Sequence, residues 1–237
     1  MIIMPCCSRR DKKIYYNDPH DISTIIERYV LDAYKTENIR VGSTIIDFVA
    51  RLGEFTLLAS ELVGSNGKVV AIELSPDDFI ALKKNLSANG CSNVVPVNMA
   101  APDEPCVLDL KFKGRKFNCE ADSLKSIIIG AGVDHNDIDF IKMNIEGSEK
   151  VVIPLSIDLI KSVSFPAMEI HEGYHNELIP IMERLGFGSK RITKKSYIKN
   201  IFKFTMKIPH NEYTMLHLLK QTTKYPGVSR IIKGINI

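Results

Sequence analysis

Asp47, Gly53 and Glu73 carry the first chemical hint in this sequence. Asp47 closes the apolar run "TII" and Gly53 opens "EFTLLASELVG"; Glu73 ends a second apolar run, "KVVAIE". A glycine between a strand and a helix lets backbone approach a bound molecule, and the helix N-terminus points its N–H groups there. An acid about twenty residues further on can accept two ribose hydroxyls. The spacing therefore predicts a site for a nucleotide-type cofactor.

These residues need a sheet that brings the two strand ends together, and the hydropathy pattern supplies one. "TIIDFV", "GKVVAIEL", "NVVPVNMA", "DIDFIKMNI" and "VSFPAMEIH" are short, β-branched and apolar, as buried parallel strands are. Helices alternate with them: "EFTLLASELVG" stopped by Gly64, "SPDDFIALKKNLSANG" with Ser75 at the N-cap and Pro76 at its first position, "ADSLKSIIIGAG", "EGSEKVVIPLSIDLIKS" read as one helix through Pro154, and "NELIPIMERLGFG" ending at Gly186. The alternation predicts an α/β, Rossmann-like, doubly wound sheet. Around "KFKGRKF", Lys113-Gly114 predicts a hairpin turn. Upstream, "DPHDISTIIERYVLDAY" predicts an amphipathic helix capped by Asp21 or Ser23. The domain reading is a leader and helix over 1–38, a main domain over 39–210, and a basic segment over 211–237 packed on or completing the same domain.

Composition narrows the class. The chain has 237 residues, 45% of them hydrophobic, which is enough for one large core. No apolar run approaches the roughly 18 residues of a membrane helix, and the start lacks a signal-peptide pattern. A soluble, cytoplasmic protein is expected. The five cysteines, Cys6, Cys7, Cys91, Cys106 and Cys119, are odd in number and match no disulfide or zinc framework. Cys6 and Cys7 beside "SRRDKK" read as inert thiols more readily than as acylation sites. From Lys190 onward eleven Lys and Arg face one acid, Glu212, whereas residues 1–189 hold 20 basic and 27 acidic residues. That asymmetry suggests an anionic partner for 190–237, with a plain solvated surface as the alternative. No Gly-Lys-Ser/Thr phosphate loop is present, which speaks against nucleoside triphosphates. The pattern alone does not choose between a dinucleotide and S-adenosylmethionine.

Four segments in order, "IIDFVARLGEFTLLASELVGSNGKVVAIELSPDDFIALKKNL", "NVVPVNMA", "DIDFIKMNIEGSEK" and "AMEIHE", resemble the FkbM-type methyltransferases. "IKMNIEGSE" is similar to that family's I-K-x-D-x-E-G-x-E, and the likeness runs from Tyr34 to Phe187. The resemblance implies a class I fold with seven strands, the last antiparallel, and S-adenosylmethionine as cofactor, with methyl transfer usually to oxygen. It implies cofactor contacts from Asp47, Val49, Ala50 and Gly53 in the first turn, and from Phe55 and Thr56 in the helix after it. Glu73 and Leu74 would hold the ribose side; Asn98, Met99 and Ala100 would flank the adenine.

Two departures stand out. The family's D-x-G-A-N-x-G is here Asp47-Phe48-Val49-Ala50-Arg51-Leu52-Gly53, so Val49 and Arg51 replace a glycine and an asparagine. Arg51 could obstruct the cofactor or pair with its carboxylate. Asn144 stands where the family carries aspartate, and an amide cannot act as a base.

Methyl transfer to a hydroxyl is helped by a general base. Asn144, Glu146, Glu149, Glu169 and His171 fall near the fourth and fifth strand ends, with His171 or Glu146 favoured as base and helix capping the alternative for Glu146 and Glu149. "HEGYH", His171 to His175, also matches the zinc protease pattern H-E-x-x-H. That chemistry needs one helix through both histidines, and the strand-like run before His171, with Gly173 and Pro180, argues against it. No metal site is expected. Three functions remain: an S-adenosylmethionine-dependent O-methyltransferase acting on a small molecule or a glycan- or lipid-type acceptor, a degenerate relative that binds without turnover, and an RNA methyltransferase steered by the basic segment.

Overall fold

The computed structural model describes residues 2–4, 12–16, 21, 25, 34–102, 104–112, 114–145, 149–169 and 174–188. The chain divides into two units, the larger being Tyr34–Lys190. In the smaller unit, β1 (Ile2–Met4) pairs antiparallel with β2 (Lys12–Ile14), and Asp21 and Ile25 are helical. The rest of the expected N-terminal helix, Cys6 and Cys7, and the basic segment 190–237 lie outside the described residues.

In the larger unit, β3 (Thr44–Phe48) leads through Gly53 into α1 (Glu54–Val63), then β4 (Lys68–Ile72), α2 (Pro76–Ala88) and β5 (Val94–Val97). The hairpin strands β6 (Cys106–Phe112) and β7 (Arg115–Ala121) follow, then α3 (Leu124–Gly130) and β8 (Phe140–Met143). Next come α4 (Glu149–Leu155), α5 (Ile157–Ser162), β9 (Phe165–Met168) and α6 (His175–Arg184). Five strands form one parallel sheet in the order β5-β4-β3-β8-β9. The chain thus starts in the middle, winds outward through β4 and β5, and returns to build β8 and β9 on the other side. The expected doubly wound parallel sheet is present; of the seven strands implied by the resemblance, five lie in this sheet among the described residues.

Successive side chains of the central strands alternate between two faces, both buried. Ile45, Val69 and Phe140 pack on one face with Phe55, Ala59 and Val63 of α1. Ile46, Val70 and Ile141 pack on the other with Ile127 and Ile128 of α3 and Leu178 and Met182 of α6. Rings stack through the first layer, Phe55 on Phe140 at 5.9 Å and Phe140 on Phe165 at 5.3 Å.

Three details refine the sequence reading. The hairpin is confirmed, with Gly114 at φ 81 in its turn. It is joined to the end of β5 by the parallel bridge between Ala100 and Ala121. Over the helix expected at 146–162, the described residues form two helices broken at Ser156, where φ −101 and ψ 14 leave the helical well. Pro154 removes a backbone donor and crowds the preceding turn, and the chain restarts with Ser156 as cap. By contrast Pro180 sits inside α6 without ending it. That helix starts at His175, with Tyr174 as its cap.

Candidate functional site at the carboxyl edge of the sheet

Parallel register aligns the residues that follow each strand. Phe48 is opposite Ile72 and Met143, Ile72 is opposite Val97, and Met143 is opposite Met168. One residue further, Asn98, Glu73, Val49, Asn144 and Glu169 therefore form a row along the carboxyl edge. In an open α/β sheet this edge, at the switch between the first strand and its later neighbour, is where ligands bind. Here that switch lies between β3 and β8.

The first turn departs from ordinary backbone. Val49 has φ 62, Arg51 φ 50 and Gly53 φ 83, all left-handed. Left-handed backbone costs a side-chain-bearing residue roughly 1–2 kcal/mol, and a β-branched residue there is a rare outlier. The surroundings hold it. Ala50 N–H donates to Ile72 O at 2.9 Å, and Gly53 N–H to Ala50 O at 2.8 Å. Asn85 Nδ2, from α2, donates to Leu52 O at 2.8 Å. Gly53 is needed twice over: its φ is positive, and a Cβ there would lie 2.5 Å from Leu82 Cδ1.

Glu73 closes β4 with 2% exposure. Its Oε2 accepts from Arg51 N–H at 2.7 Å, and its Oε1 accepts from Ser75 N–H at 2.7 Å. Burial pushes its carboxyl up to about 7, although both N–H donors pull the other way. Asn98 Nδ2 donates to Glu73 O at 2.7 Å and to Leu74 O at 3.3 Å, fixing the strand end.

Beneath the turn lies a buried ion pair. Asp47 and Lys142 are cross-strand partners, with Nζ to Oδ1 at 3.0 Å and exposures of 0% and 4%. This contact is ionic; its angles fall outside hydrogen-bond geometry. Thr56 Oγ1 donates to Asp47 Oδ2 at 2.5 Å. Lys142 Nζ also donates to Val49 O at 2.7 Å and Phe48 O at 3.4 Å, and lies 5.6 Å from the Tyr34 ring centroid. On the far side of the switch, Asn144 Nδ2 donates to Glu169 Oε2 at 2.8 Å. That bond sets the amide's orientation, because the reverse would face oxygen with oxygen. Asn144 Oδ1 is then buried without a hydrogen-bond partner.

The sequence profile of the Methyltransferase FkbM domain matches residues 47–188, well over half of the chain. The chain belongs to the FkbM methyltransferase family. Its five-stranded order is that of the class I fold such enzymes use. Similar solved structures include a SAM-dependent methyltransferase from Aquifex aeolicus, 18% identical, covering 75% of this chain and 93% of that one with a TM-score of 0.44. Another is precorrin-6y C5,15-methyltransferase from Geobacter metallireducens GS-15, 15% identical, covering 74% and 73% with a TM-score of 0.45. No curated protein matches the chain.

The residues of this FkbM domain fit a sulfonium nucleoside. The turn keeps the left-handed backbone at 49, 51 and 53 although only Gly53 is glycine. Each oxygen of Glu73 uses one N–H bond and keeps a further acceptor site for a ribose hydroxyl. The expected contact residues divide accordingly. Val49, Glu73 and Asn98 stand in the edge row, with Ala50 and Gly53 in the turn and Met99 half-buried beyond β5. Asp47 and Thr56 spend their side chains on the brace beneath, and the Phe55 ring lies in the core, leaving its backbone at the helix N-terminus. Leu74 and Ala100 pack with Cys119 and Ala121, so the hairpin walls the β5 side. Asn144 sits in the row beside Glu169; Glu146 and His171 lie outside the described residues. Among the described residues no group of three or more His, Cys, Asp or Glu could hold a metal, and no helix is long and apolar enough to cross a membrane.

Lys142 escaped the sequence reading as a functional residue. A lone lysine inside "FIKM", a strand otherwise wholly apolar, was its signal.

Proposed function

We propose that this FkbM protein is an S-adenosylmethionine-dependent methyltransferase acting on oxygen in a small-molecule, glycan- or lipid-type acceptor. The observation that supports it most is Glu73: a buried acid, at the expected strand end, tied by hydrogen bond to the turn that would cradle the cofactor. When bound, S-adenosylmethionine supplies an electrophilic methyl group. The chain's own residues would do the rest. Glu73 would take the ribose diol and the turn from Val49 to Gly53 would offer backbone, while the Arg51 guanidinium lies 3.9 Å from the Glu54 carboxylate at the start of α1.

On the acceptor side Asn144 cannot take a proton, and its buried amide holds Glu169 in place. Glu169, exposed, is a carboxylate able to take the proton of an incoming hydroxyl. His171 and Glu146 are the other base candidates. An acceptor would lose its hydroxyl proton to one of these groups as its oxygen gains the methyl, the methyl–sulfur bond breaking to leave a neutral thioether.

The degenerate reading has its own support in Val49, Arg51 and Asn144, the three residues of the two departures, all of which lie in this site. Isotope-labelled S-adenosylmethionine incubated with the full chain and fractionated metabolite and glycolipid extracts separates the two. Label entering an ether or ester product is expected. Cofactor binding with no labelled product in any fraction would favour the degenerate reading.

A further inference from the structure

We propose that Lys142 is a positioning residue that holds Val49 in the left-handed conformation cofactor binding requires. The inference rests on the reading that the turn binds S-adenosylmethionine. Lys142 is opposite Asp47 in register, so its side chain rises beneath the turn. Its ammonium donates to Val49 O at 2.7 Å and to Phe48 O at 3.4 Å, and is paired ionically with Asp47 Oδ1 at 3.0 Å. A left-handed residue aims its carbonyl differently from an extended one, so a buried cation fixed on that carbonyl selects the left-handed well. Asp47 fixes the cation, and Thr56 fixes Asp47. With its side chain buried and its ammonium held under the turn, Lys142 is not available to touch the cofactor; it acts through Val49. Arg51, next along the turn, gains its own anchor from Glu73. A β-branched residue is thus kept where glycine would rest freely.

The test is a cycle of four proteins: wild type, Lys142→Met, Val49→Gly, and the double variant. Calorimetry reads S-adenosylmethionine affinity, and hydrogen exchange reads the Arg51 amide with no ligand present. Lys142→Met is expected to weaken binding about tenfold by shrinking the binding-competent fraction, and to speed Arg51 exchange by a similar factor. In the Val49→Gly background both effects should fall below about twofold, because glycine holds the turn without a clamp. Equal losses in both backgrounds, or none in either, would overturn the inference. Because Lys142→Met strands a buried carboxylate, the cycle is repeated with Asp47→Asn added throughout, which keeps an acceptor for Thr56. If wild type binds no S-adenosylmethionine, the functional reading fails, and Arg51 exchange still decides whether Lys142 holds the turn.

Discussion

Arg51 donates its backbone N–H to Glu73 Oε2 across 2.7 Å, so the two strand ends that a nucleoside would bridge are already joined without it. The turn and the acid proposed to hold the cofactor are therefore one unit. Whatever disturbs Glu73 loosens the turn, and whatever relaxes the turn releases an N–H from Glu73.

That unit should respond to pH. Burial raises the Glu73 carboxyl from 4.5 to about 7; the N–H groups of Ser75 and Arg51 and the charge of Lys142 oppose the rise, and Asp78 adds to it. Because the folded value lies above the unfolded one, the folded chain holds an extra proton between about 4.5 and 7. This contribution to stability is complete below the lower value and is lost as pH climbs through the upper one, on the order of 3 kcal/mol in all. Unfolding temperatures measured from pH 5 to 8 should fall more steeply for wild type than for Glu73→Gln. Parallel slopes would count against the assignment.

Gly53→Ala should destabilise the domain by about 1–2 kcal/mol from the left-handed φ alone. The displaced Leu82 methyl adds to this, since the new Cβ would meet it at 2.5 Å. Denaturant titration reads the loss; an unmoved midpoint would show that the turn has another conformation.

The sheet was legible in the sequence because buried parallel strands, caps and glycine stops are local signals. Ser75, Pro76 and Gly64 ended up where their chemistry places them. Glu73 was legible because strand spacing fixes it. The strain at Val49 was not: nothing in the sequence around Val49 shows a positive φ, and the clamp that holds it comes from Lys142, 93 positions away. The Asn144–Glu169 pair was hidden for the same reason, since its partners meet only through the register of β8 and β9. The break at Ser156 was missed because the apolar helical rhythm of Val152, Ile153, Leu159 and Ile160 continues across it.

On the acceptor side, Glu169→Gln should cut methyl transfer by about a hundredfold, a typical share for a general base. Its affinity for S-adenosylmethionine should stay within about twofold, because Glu169 stands beyond β9 and away from Glu73. Equal loss of binding and turnover would mean that Glu169 supports the cofactor instead.

Restoring the family's carboxylate with Asn144→Asp would set two acids side by side where an amide now donates to Glu169 at 2.8 Å. Like charges at that range share a proton, so the acidic limb of the pH–rate profile, where the base must lose its proton, should move to higher pH. An unchanged pH–rate profile would remove the pair from the chemistry.

The central claim is that this edge binds S-adenosylmethionine through Glu73. Isothermal calorimetry on wild type and Glu73→Ala tests it most directly. Saturable wild-type binding at or below tens of micromolar is expected, weakened at least about tenfold in the variant, as suits the loss of hydrogen bonds to a charged group. No wild-type binding in that range, or equal affinity in the two proteins, would contradict it.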